Sequence, residues 1–257
     1  MGAAVSRHVL GLFLMLALQG PSAQAAPPTP AAIAVTFAEN PPRLVRDKGF
    51  YRAGRGLVLR ANDMLESGAG ALQLGAGGTT IALGPASKVF ISSGSELVLL
   101  DGWLKLRADA QQPFTVAAHK LRLSGAGTTV TLHAAPEVIE LFAESGDVLV
   151  EEPGAGKAGR GTKVPHERFA VRAGALPLRL AARPPAAFLA AMPPGFRDET
   201  VALAAPAPAA PKLERAATFA ELSPWLADHP SLRRQLQARF EPPRPPRRAT
   251  PDLKATP

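Results

Sequence analysis

Between Gly56 and Leu180 the chain is a run of short segments in which apolar and polar side chains alternate, with glycine, proline, serine or aspartate standing between them. A period of two sends successive side chains to opposite faces, as in a strand with one buried side. In WLKLR, Leu104 and Leu106 alternate with Lys105 and Arg107; in KLRL, Leu121 and Leu123 alternate with Lys120 and Arg122. The leucines are expected inside and the cations in water. Gly102, Gly125 and Gly127 stand where turns are expected, since glycine meets no steric penalty there. GLVLR, TTIALGP, KVFI, ELVLL, FTVAA, TTVTLH, EVIELFA and ERFAVR continue the pattern. It predicts an all-β fold, an antiparallel β-sandwich or a short β-roll of solenoid type, over residues 43–182. Pro177 has no amide to give, so Leu176–Leu180 is expected to be an edge strand.

Aromatic residues make up only 5 % of the chain, so leucine, valine and alanine must supply the core. The absence of cysteine excludes disulfides, thiolate metal sites and a cysteine nucleophile. A formal charge of +8 would suit a nucleic acid or an anionic surface. The cations are spread over many strands and a terminal Arg/Pro tail instead of one stripe, so nucleic-acid binding is not expected.

Residues 1–25 read as a cleavable export signal, which implies a periplasmic location. Arg7 and His8 precede the apolar Val9–Leu18, and Ala23-Gln24-Ala25 forms an A-x-A cleavage site. The apolar stretch is too short to span a bilayer. Residues 26–42 read as a Pro/Ala-rich linker. A cationic patch follows, with Arg43, Arg46, Lys48, Arg52, Arg55 and Arg60 opposed in sequence only by Asp47. Arg43, Arg46, Arg52 and Arg55 are candidate contacts for an acidic partner; the plainer reading is a solvated first strand. Residues 183–211 read as a linker containing an apolar strap with Phe188, Leu189, Met192 and Phe196. Residues 212–240 are expected to form a helix pair. Thr218 and Glu221 match a capping box, Pro230 suits a first turn, and Leu232, Leu236 and Phe240 recur every four residues. Trp225 on this pair is a further candidate contact. The tail, 241–257, is expected to be disordered.

Candidate catalytic patterns fail one by one. Gly154, Gly156 and Gly159 spell G-x-G-x-x-G after a strand-like segment, but Pro165 and further alternation replace the helix that a dinucleotide site requires. His119, His133, His166 and His229 show no metal-ligand spacing. The serines do not sit in a nucleophile-elbow motif, and no carboxylate pair stands out as an acid/base couple. The expectation is a protein without catalytic residues, cofactor or metal.

ALQLGAGGTTIALGPASKVFI, at 71–91, resembles the opening of a FecR-like domain. Pro113, Phe114 and Val116 match that family's P-F-x-V strand, Gly127, Thr128 and Val130 its next segment, and VIELFAESGDVLV its closing strand. The likeness covers roughly Gly56 to Glu152, and the strap and Ser223–Trp225 resemble the tail of exported members. It implies a periplasmic, non-enzymatic β domain that binds an envelope protein. In FecR itself that partner is the signalling domain of an outer-membrane transporter, and the signal passes to a cytoplasmic sigma factor. No cytosolic anti-sigma region or transmembrane helix is read here, so a role as the anti-sigma factor itself is not expected. The alternative reading is a binding module for cell-wall or envelope polysaccharide.

Overall fold

The computed structural model describes residues 32–112, 114–152, 161–204 and 206–241. The stretch read as an export signal, the G-x-G-x-x-G glycines and the tail from 242 onward lie outside them. The protein is all-β, with seventeen strands among the described residues in two sheets that share one strand.

The first sheet runs β1 (Ala34–Ala38), β5 (Leu72–Ala76), β6 (Thr79–Leu83), the second half of β8 (Glu96–Arg107), β11 (Thr129–Ala135), β12 (Val138–Ser145), β15 (Arg168–Ala173) and β16 (Arg179–Ala181). The second runs β17 (Lys212–Ala216), β3 (Gly49–Arg52), β2 (Arg43–Arg46), β4 (Met64–Glu66), β7 (Lys88–Ser93), the first half of β8, β9 (Phe114–Ala118), β10 (Leu121–Gly125), β13 (Val148–Glu151) and β14 (Thr162–Val164). Every pairing is antiparallel except β8 with β9. One continuous core lies between the sheets. Leu74, Ile81, Leu104, Leu132 and Leu141 enter it from the first sheet, and Leu44, Leu65, Val89, Leu97 and Val116 from the second. This is a β-sandwich.

ELVLL and WLKLR, expected as separate strands with a turn at Gly102, are the two halves of β8. Leu97–Leu99 pair with β7, whereas Leu104–Arg107 pair with β6 and β11. Gly102, at φ 92°, lets the strand swing from one sheet into the other. A Cβ there would lie 2.8 Å from the Ser87 Cα, and the buried Ser87 Oγ accepts the Trp103 amide at 2.9 Å.

Three boundaries differ from expectation. β1 lies inside the stretch read as a linker, and Ile33 and Val35 belong to the core. GLVLR makes only isolated bridges, Val58 to Ala34 and Leu57 to Ala209. Lys212–Ala216 is a strand on the edge of the second sheet, so the helical segment starts after it. The expected edge strand near Leu180 is β16, shortened to the residues beyond Pro177 and paired only with β15.

Both outer faces are covered. On the second sheet lie α2 (Phe219–Leu222), a 3₁₀ turn (Ser223–Leu226) and α3 (Pro230–Phe240). Thr218 and Glu221 form the reciprocal capping box. Leu222, Leu226 and Leu236 are buried against Val45, Phe50, Met64, Phe90, Val98 and Leu100. On the first sheet lies the strap, α1 (Ala186–Ala191) and a 3₁₀ turn (Pro194–Phe196), which buries Phe188, Met192 and Phe196 against Phe169, Trp103 and Phe142.

Candidate interaction site

The arginines offered by the sequence as partner contacts find partners within the fold. Arg46 is 8 % exposed and grips Asp63 with two hydrogen bonds, Nε to Oδ1 at 2.9 Å and Nη2 to Oδ2 at 2.6 Å, and also donates to the Val58 carbonyl at 3.0 Å. The Asp63 carboxylate raises the Arg46 pKa, against the opposing effect of burial. Arg46 is therefore a structural residue and not a contact residue. Arg43 pairs with Glu66 at 3.2 Å and Arg52 with Glu214 at 2.9 Å, while Arg55 donates to the Thr36 carbonyl at 3.1 Å. The patch that looked opposed only by Asp47 is thus interleaved with carboxylates from β4 and β17. Trp225 is half-buried against the second sheet, with the Lys88 ammonium 5.8 Å from its ring centroid.

A surface the sequence did not single out lies on the other face. Strands β1, β5 and β6 leave room beside the strap for an open groove of about 520 Å³. Phe37, Ala71 and Ala82 form one wall, and Pro193, Pro194 and Phe196 the other. Phe37 and Val201 are 36 % and 66 % exposed, so the groove is apolar and reachable. Among the described residues, its charged lining is Glu39 and Glu199, with no lysine, arginine or histidine. Neither carboxylate has a cationic partner among the described residues, although Glu39 accepts the Ala71 amide at 3.0 Å. In a chain of net charge +8, this groove carries negative charge.

The strap wall is fixed by a buried cation. Lys105, expected in water by the alternation of β8, is 2 % exposed. Its ammonium donates to the carbonyls of Phe196 at 2.7 Å and Asp198 at 3.0 Å, and pairs with Glu144 at 2.8 Å. Thr131 donates its hydroxyl to the same carboxylate. Gln73 ties the far end of the strap to β5 through the Val201 carbonyl at 3.1 Å. The alternation does mark the outer face of β8 as polar. What it could not show is that a segment ninety residues downstream would cover that face.

Among the described residues there is no group of three or more His, Asp or Glu side chains able to hold a metal ion, and no helix long and apolar enough to cross a membrane. His119 and His229 meet between the β9–β10 turn and the start of α3, while His133 stacks on Trp103 and pairs with Glu140. The strands flanking 153–160, β13 and β14, pair antiparallel, and β15 follows where a dinucleotide site would need a helix.

Fold and groove together define a two-sheet β-sandwich with an acidic, apolar cleft beside a C-terminal strap. No protein-family model matches the chain, and no curated protein matches it by sequence. Among solved structures it is similar to two crystal structures of a candidate anti-sigma factor from Parabacteroides distasonis ATCC 8503. The TM-scores are 0.39 and 0.38, each at 12 % identity over 49 % of this chain and 59 % of that one. The match thus spans about three fifths of the length of those structures.

Proposed function

We propose that this is an exported, periplasmic protein of FecR-like type that works without catalysis, by holding an extended segment of an envelope protein in signalling or scaffolding. The observation that carries this reading is the groove between β1, β5, β6 and the strap. It is open and lined by aromatic and proline side chains, and its two carboxylates lack cationic partners among the described residues. Apolar walls supply affinity for a chain segment, and a few fixed polar groups supply its orientation. The signal-like N-terminus and the FecR-like strand motifs of the sequence support the compartment and the class.

A photo-reactive side chain at Val201, in the groove, tests the proposal in cells, with one at Lys163 on β14 as the control. Reproducible capture of one envelope protein from Val201 alone supports it. Capture of glycan from Val201 would replace it with the polysaccharide-binding reading. Equal capture from both positions would remove the groove from the account.

A further inference from the structure

We infer that the outer edge of β16 is a second interaction surface, which takes an extended segment of a partner protein in which acidic and apolar residues alternate. It stands apart from the groove, since β1 and β16 are the opposite ends of the first sheet.

The two ends of that sheet differ. Beyond β1, residues 56–59 supply backbone partners: the Val35 amide donates to the Leu57 carbonyl at 2.9 Å, and the Gly56 amide to the Val35 carbonyl at 2.8 Å. β16 pairs with β15 alone, and among the described residues nothing pairs with its other side. The register shows which groups are free. Backbone groups along an antiparallel strand point alternately to one neighbour and to the other. The Gly174 amide donates to the Glu137 carbonyl, so Arg172 and Ala170 address β12, while Val171 and Phe169 address β16. Their partners Arg179 and Ala181 face back to β15, which leaves the N–H and C=O of Leu180 pointing away from the sheet. An open ladder of this kind is completed by an extended chain laid beside it.

Side chains set the composition of that chain. Leu180 lies opposite the core residue Ala170, and Arg179 opposite Val171 on the strap side. Leu176 and Leu180 are 56 % and 49 % exposed, an apolar rim for the apolar side chains of an incoming strand. Beyond β16, Ala182 and Arg183 line an open cleft of about 760 Å³ together with Phe142, Leu189 and Arg168. Arg168, Arg179 and Arg183 are exposed and have no ion pair among the described residues. The other ionisable groups lining the cleft are His166 and Glu167. Three guanidinium groups against one carboxylate suit a partner that brings acidic residues on the face of Arg179. A second copy of this chain fits less well. Pairing two β16 edges about Leu180 would make the two Arg179 side chains diagonal neighbours on one face, about 7–8 Å apart at the backbone.

A fluorescein-labelled peptide that alternates glutamate and valine, titrated into the full chain and followed by fluorescence anisotropy, tests the inference. It should bind, whereas a peptide alternating lysine and valine should not. Leu180→Pro removes the outward amide and leaves the ladder with β15 in place, so it should weaken binding about tenfold or more. Arg179→Glu combined with Arg183→Glu should weaken binding to a similar extent. Both side chains are exposed, so this variant tests the contact without disturbing the strand. Absence of binding, or binding that either variant leaves unchanged, would overturn the inference. So would equal binding of a peptide with the same residues sorted into one glutamate block and one valine block, since charge alone would then attract it. Binding lost in Val201→Asp and kept in Leu180→Pro would move the peptide to the groove and reject the edge. Self-association of the parent chain in sedimentation, abolished by Leu180→Pro, would give the edge to a second copy instead.

Discussion

The imidazoles of His119 and His229 meet edge to face with ring centroids 5.6 Å apart, where the β9–β10 turn supports the first turn of α3. His229 is 6 % exposed, and the Nε2 atoms of both rings are buried without a hydrogen-bond partner. The helical cap of the second sheet is thus seated on two packed imidazoles.

Burial lowers the pKa of both rings. For His229 the effect reaches about 4, with His119 adding to it and Asp228 opposing it. Around His119, Asp228 and Asp101 favour the charged form and Arg172 disfavours it. Protons bind to the unfolded chain near the ordinary histidine value of 6.5 and to folded His229 only near 4. Stability is therefore full above the upper value and declines as the pH falls toward the lower one. The urea midpoint should drop across this window, and His229→Gln should flatten the slope. An unaltered slope in His229→Gln would contradict the assignment.

Lys105→Met should destabilise the protein by about 3 kcal/mol, because it strands Glu144 and frees two strap carbonyls under an apolar cover. Trypsin should then cut after the exposed Arg197 faster than in the parent chain. If both stability and cleavage stay at parental levels, Lys105 is not what holds the strap.

Two glycines with positive φ should respond differently to alanine. Gly102→Ala meets Ser87 backbone as well as an unfavourable φ, and should cost about 3 kcal/mol. Gly127→Ala, with its nearest neighbour 3.5 Å away, should cost about 1 kcal/mol. Chemical denaturation of the two variants side by side measures the difference.

Arg46→Ala leaves the buried Asp63 carboxylate without its cation, with only the Arg60 amide still donating to it, and should lose about 3 kcal/mol. Arg52→Ala removes an exposed pair and should lose less than about 1 kcal/mol. Equal losses would mean that the contrast in burial between the two pairs has no energetic weight.

These contrasts show which parts of the molecule are legible in the sequence. Alternation locates the strands around Leu104, Leu121 and Val130 because a period of two is a local property. The Thr218–Glu221 cap is local too, and so is the apolar content of the strap. Arg46 and Asp63 are 17 residues apart, and Arg52 and Glu214 are 162 apart, so no window of sequence reveals that these charges cancel. Lys105 is misassigned to water for the same reason. Alternation distinguishes the faces of a strand, but whether a face is wet depends on what later folds over it. β1 is hidden differently, since alanine and proline around Val35 dilute its pattern. The groove is a product of two such long-range events, the pairing of β1 with β5 and the laying down of the strap.

β8 donates and accepts hydrogen bonds in both sheets, passing from one to the other at Gly102. Neither sheet can peel away while the other keeps its ladder, because the first to open must pull the shared strand out of the second. Amide protons at Leu99 and Leu104 should accordingly exchange with solvent in the same opening event, and the two layers should melt as a single cooperative unit.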